Sequence, residues 1–153
     1  MRKKLGLFTE EEQDPALAAE LLRRMAANRV DYSMLFRALC DCAEDRAHDA
    51  RAAALFEDPS AFHGFAETWR QRLAREAETP AARASAMRHQ NPHFIPRNHR
   101  IEQAIVAALG DDFTPFENLL RATARPYEEQ ADLAHLADPP LPDELVQATF
   151  CGT

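Results

Sequence analysis

The apolar positions of this chain recur at spacings of three and four, and short polar or proline-bearing breaks cut them into segments. Asp14-Pro15 reads as an N-cap followed by the first helical residue, and Leu17, Leu21, Leu22 and Met25 then share a helical face. Asp31 is placed to cap a second helix carrying Met34, Leu35, Phe36 and Leu39. An alanine-rich third segment runs from Glu44 to Leu55. Asp58-Pro59 repeats the cap signal ahead of the stripe Phe62, Phe65, Trp69 and Leu73, and Thr79-Pro80 opens a helix through His89. Pro92 and Pro96 each disfavour helix at the preceding residue, so Asn91 to Arg97 is expected to be an extended connector. Asn98 is expected to cap a helix holding Ile101, Ile105, Val106 and Leu109, closed by Gly110 at C′. Thr114-Pro115 starts a helix with Phe116, Leu119 and Leu120 that ends before Pro126.

No stretch alternates in the manner of a strand, and only four glycines interrupt a chain rich in alanine, leucine, glutamate and arginine. The predicted class is therefore all-α: an irregular multi-helix domain over residues 1–124. Residues 125–153 differ in character, with one arginine against six carboxylates and a run containing Pro139, Pro140 and Pro142. They are expected to form a weak helix from Glu128 to Leu136 and then an extended, Pro-rich acidic tail ending near Cys151. The segments differ in length and apolar pattern, so a repeat solenoid is not expected.

Composition narrows the function classes. A chain of 153 residues with 46% apolar content can bury a core of its own. A net charge of -7 argues against nucleic acid as the main partner, because phosphate binding needs a basic surface. Arg2-Lys3-Lys4 reads as a solvated end. No apolar run approaches the ~20 residues that span a bilayer, and no apolar stretch of the signal-peptide kind follows the basic start. Neither membrane nor secretion is expected, and the cytoplasm is the default location. Three cysteines do not make a disulfide framework and read as reduced thiols.

Several constellations invite chemistry and fall short of it. His89 and His93 have the spacing of two zinc ligands on one helical face, but Pro92 between them ends the helix and no third ligand follows. Cys40 and Cys42 point to different sides of a helix, and Cys40 reads as a small buried apolar group. Phe62, Phe65 and Trp69 could line a pocket, but such a stripe is ordinarily core. Asp31-Tyr32 and Arg37 are polar anchors or simply a cap and a surface cation. Asp111-Asp112 follows a helix-ending glycine and reads as a turn. No two glycines lie close together, so no phosphate-cradling loop is present. The Arg97-Asn98-His99-Arg100 cluster puts cationic and amide donors at a helix start, which suits an anion; equally, these side chains can pin neighbouring carbonyls, and that reading is preferred. Cys151, flanked by Phe150 and Gly152, is a thiol on a tail, inert unless a second thiol is in reach.

Five blocks carry a resemblance: Met1 to Leu7, Asp31 to Arg37, Asn91 to Asn98, Arg125 to Gln130, and the terminal Cys151-Gly152-Thr153. In this order they resemble the C-terminal third of the selenoprotein O family, the kinase-like protein adenylyltransferases. The resemblance implies a parent enzyme of protein-kinase-like fold. Such an enzyme moves AMP from ATP, with Mg2+ or another divalent metal, onto Ser, Thr or Tyr hydroxyls of other proteins. The family's nucleotide, metal and catalytic residues lie upstream of the matched blocks and have no counterpart here, so no catalytic residue, metal ligand or cofactor site is expected in this chain. Cys151 matches the family's selenocysteine or cysteine position, which the resemblance links to redox control.

Met1 falls at an internal position of the family pattern, so the chain is expected to be a piece of a longer protein. Its expected partners are an upstream kinase-like region and, through it, protein substrates; its free apolar face is expected to pair two isolated copies. The alternatives are an autonomous helical protein-interaction module, and a small helical binder using Arg97, Asn98 and Arg100 for an anion.

Overall fold

The computed structural model of the protein describes residues 1–146, built from α-helices and 3-10 turns with no strand among them. The fold class is all-α. The chain divides into two compact units, Met1–Pro92 and His93–Thr153.

The first unit contains α1 (Asp14–Ala27), α2 (Tyr32–Glu44), α3 (Asp49–Ala53), α4 (Pro59–Leu73) and α5 (Pro80–Arg88). Three of the expected caps form. Asp31 accepts from the Met34 amide at 2.9 Å, Asp58 from Ser60 at 2.9 Å, and Thr79 from Ala82 at 3.3 Å. The stripe on α4 is core: Phe62, Phe65, Trp69 and Leu73 are buried with Leu21 of α1 and Leu35, Phe36 and Leu39 of α2. The alanine-rich segment is not one helix. Asp45 adopts an extended conformation, and its side chain caps a separate 3-10 turn, Arg46–His48, ahead of the short α3.

The basic start is structured rather than solvated. Arg2–Leu5 forms a 3-10 turn that closes on Gly6, and Leu5 and Leu7 are fully buried. Trp69 donates its indole N–H to the Leu5 carbonyl at 2.9 Å. The Lys4 ammonium donates to the Gln90 carbonyl at 2.8 Å and to Asn91 Oδ1 at 3.3 Å, while Asn91 Nδ2 donates to the Lys4 carbonyl at 2.9 Å. Arg2 pairs with Glu10 at 2.8 Å. The ends of the unit are thus tied by side-chain to main-chain bonds that leave buried amides satisfied.

Asp14 is not the N-cap. It is the first helical residue of α1, and its buried carboxylate receives Arg72 Nε at 2.7 Å and the Glu11 amide at 3.0 Å. Arg72 also donates to Glu76 Oε1 at 2.7 Å and to the Thr9 carbonyl at 3.0 Å, and Thr9 donates its hydroxyl to Glu76 at 2.7 Å. A cation with two carboxylates, all three nearly excluded from water, locks the segment before α1 onto α4.

The second unit holds α6 (Asn98–Ala108), α7 (Thr114–Ala124) and two 3-10 turns, Ala131–Ala137 and Pro142–Glu144. Its small core is Phe94, Ala122, Leu133 and Leu136. The expected boundary at 124/125 is not where the compact units part; they part after Pro92. The segment after α7 folds back, placing Leu133 and Leu136 against Ala122 and Phe94, and the Phe94 amide donates to the Pro126 carbonyl at 3.0 Å. The helix expected at 128–136 is the 3-10 turn Ala131–Ala137.

Two helix ends differ from expectation. Asn98 is exposed and is the first residue of α6, and Arg97 occupies the N-cap without a side-chain bond to the helix. Gly110 does not take the left-handed position. Asp111 does, at φ 62°, with its amide bonded to Ala108 O and the Asp112 amide to Ala107 O. That is a Schellman closure with an aspartate where glycine is usual. Arg29 closes α1 the same way at φ 51°.

Candidate functional site

The start of α6 brings together the sequence-derived candidates Arg97, Asn98 and Arg100. Arg97 and His99 are buried, Asn98 is exposed, and Arg100 lies between. Arg100 donates to the His135 carbonyl at 2.8 Å and to Gln103 Oε1 at 2.9 Å, tying α6 to the Ala131–Ala137 turn. A hollow of about 320 Å³ lies beside this start, lined by Arg97, Asn98, His99, Glu144 and Val146 among others. Burial pushes the His99 imidazole below its ordinary range, aided by the Arg100 and Arg97 charges and opposed by Glu144, so the ring is neutral near pH 7. Glu144 is held below the usual carboxylate range by the Leu141 amide and Gln103. Its carboxylate faces the same hollow, so an anion entering there would meet a negative charge.

A second feature of this unit is apolar. Ile101, Ile105 and Ala108 of α6 and Phe116 and Leu120 of α7, with Phe113 in the connection, line a groove of about 480 Å³. Sequence periodicity marked most of these positions as apolar helix faces. In the structure Leu109 is 85% exposed, Val106 67% and Leu120 58%, with Ile105, Phe113 and Phe116 exposed as well. Contiguous exposed apolar surface of this kind marks an interaction face.

The remaining candidates are structural. Cys40 and Cys42 are buried and unpaired. Burial raises the Cys40 thiol, and burial with the Asp49 carboxylate pushes Cys42 up to about 12. His89 follows the end of α5 and bonds through Nδ1 to the Ser85 carbonyl at 2.8 Å. His93 stacks edge-on against Phe94. Arg37 donates to the Arg88 and Asn91 carbonyls, and Asp112 caps the Thr114 amide at 2.9 Å. No group of three His, Cys, Asp or Glu able to hold a metal occurs among the described residues. No helix among them is long and apolar enough to cross a membrane. Cys151 lies outside the described residues. Sequence reasoning named His99 only within the cationic cluster, and it missed the Asp14–Arg72–Glu76 network, which had no local signal.

The exposed apolar groove of this all-α chain is a face that seeks a partner. The comparisons supply the class. Residues 1–124 match the family model described as protein adenylyltransferase SelO. The protein nucleotidyltransferase YdiU of Bradyrhizobium diazoefficiens is 53% identical over 154 residues, covering 100% of this chain and 31% of the relative. The proteins of the same description from another Bradyrhizobium strain and from Rhizobium meliloti are 52% and 50% identical, each also 31% covered. The chain belongs to the SelO family of protein adenylyltransferases. It spans about a third of the length of the curated relatives it matches.

Proposed function

We propose that this chain is the helical supporting part of a kinase-like protein adenylyltransferase. The whole protein would transfer AMP from ATP, with Mg2+ or another divalent metal, to Ser, Thr or Tyr hydroxyls of protein substrates in the cytoplasm. The observation that carries the reading is the uncovered apolar face of α6 and α7 in a chain spanning 31% of its relatives. Phosphate-centred transfer relies on metal and cationic clamps for a share of transition-state stabilisation on the order of 10 kcal/mol. On this reading the clamps belong to the portion this chain does not span, and the role of this part is to hold and regulate a centre housed there.

The test is AMP labelling. This chain is co-expressed with the portion of the Bradyrhizobium relative that it does not span, and labelling of protein targets from ATP is measured. Labelling by the pair and not by this chain alone is expected. Labelling by this chain alone sinks the reading. For Cys151, the family resemblance supports a reversible disulfide with the catalytic portion; Cys151→Ser should abolish oxidant sensitivity of the pair, and unchanged sensitivity refutes it.

A further inference from the structure

We infer that the α6–α7 groove is the seat of an amphipathic helix, flanked by basic residues, from the part of the adenylyltransferase that this chain does not span. The inference rests on the proposed function above and adds the place and chemistry of docking.

Two observations fix the occupant. The first is shape and apolarity. The groove lies along two helices, is walled by Ile101, Ile105, Ala108, Phe113, Phe116 and Leu120, and holds about 480 Å³. That form takes the apolar face of a helix, with anchors at three- and four-residue spacing. The second is charge. Glu102 follows the groove residue Ile101 on α6, Glu117 follows Phe116 on α7, and Asp111 and Asp112 stand in the connection; all four are exposed. Of the two cations on these helices, Arg100 is engaged with the His135 carbonyl and Arg121 pairs with Asp132. The surroundings of the groove are therefore net acidic, which favours Lys or Arg flanking the incoming apolar stripe and disfavours a second copy of the same acidic face. The relatives carry more than two thirds of their length outside the matched region, so a covalently linked occupant is available.

The experiment co-expresses this chain with the unspanned portion of the Bradyrhizobium relative, tags that portion, and measures the affinity of the pair by titration. Ile105→Asp and Leu120→Asp change exposed positions, so the isolated chain should melt as before. Each should weaken the pair at least ~10-fold, and the double variant ~100-fold. Glu102→Lys/Glu117→Lys should weaken it further at low salt than at high salt. If the unsubstituted pair does not associate, the proposed function fails. If it associates and the Asp variants bind equally well, the groove is not the seat and only this inference falls. If the Lys variants bind as tightly or more tightly, the basic flanks are wrong. If light scattering finds the isolated chain dimeric and Leu120→Asp makes it monomeric while the pair is unaffected, the occupant is a second copy and the inference is overturned.

Discussion

Arg72 offers the sharpest test of what holds the first unit together. Arg72→Met keeps the length of the side chain and removes its charge and donors. Two carboxylates then lose their cation, but unequally. Glu76 keeps the Thr9 amide at 3.1 Å and the Thr9 hydroxyl, whereas Asp14 keeps only the Glu11 amide. Removing one partner from a buried ion pair costs about 3–5 kcal/mol, far more than loss of an exposed pair. For a unit of this size each kcal/mol moves the thermal midpoint by about 4–8 °C, so a fall of at least ~12 °C follows. Trp69, the single tryptophan and fully buried in this unit, reports the transition by fluorescence. The same variant has a pH signature. In the native protein burial raises the Asp14 and Glu76 carboxyls, but Arg72 and the Glu11 and Thr9 donors outweigh it and hold both below their ordinary values. Their contribution is complete above the unfolded value of about 4 and disappears as pH falls through the lowered folded values. Without Arg72, burial dominates and both carboxyls move up. The gap between variant and native protein should then be widest near neutrality and shrink in acid. Asp14→Asn in the Arg72→Met background should recover at least ~1 kcal/mol by removing the stranded charge. Urea unfolding at neutral and acid pH measures all of this. A loss below ~1 kcal/mol at pH 7, or a gap independent of pH, refutes the reasoning.

Three further outcomes are expected. Gly6→Ala should cost at least ~1–2 kcal/mol, because φ is 71° and a Cβ would meet Met87 Sδ at 2.7 Å, whereas Asp111→Gly should gain up to ~1 kcal/mol and Gly110→Ala should be tolerated; thermal melts by circular dichroism rank them. Asp31→Ala should destabilise the first unit by ~1 kcal/mol through loss of the Met34 cap, read by Trp69 fluorescence. In a Cys151→Ser background, a thiol reagent at pH 8 should leave Cys40 and Cys42 unlabelled until urea is added, since a thiol at about 12 has a thiolate fraction on the order of 10⁻⁴; rapid labelling of the folded chain would contradict their burial.

The caps at Asp31, Asp58 and Thr79 were legible because each acts within three residues of itself. The α4 stripe was legible because its period is helical and its whole face is covered. Asp14 was misread because the group that claims its carboxylate stands 58 residues away. Asp111 and Arg29 were invisible because a search for glycine at helix ends cannot see a left-handed residue that carries a side chain. The faces of α6 and α7 were legible as apolar, and their exposure agrees with the expectation of a free apolar face. Periodicity reports that a face seeks cover, not which piece of chain provides it.

The tie between Lys4 and Asn91, with Trp69 on Leu5 and Glu76 on Thr9, means that the first turn is held by the last residues of its unit. Pairings this distant along the chain close late, because loop entropy opposes them until the intervening helices are in place. During synthesis Leu5 and Leu7 therefore lack these partners until the chain through Asn91 has left the ribosome.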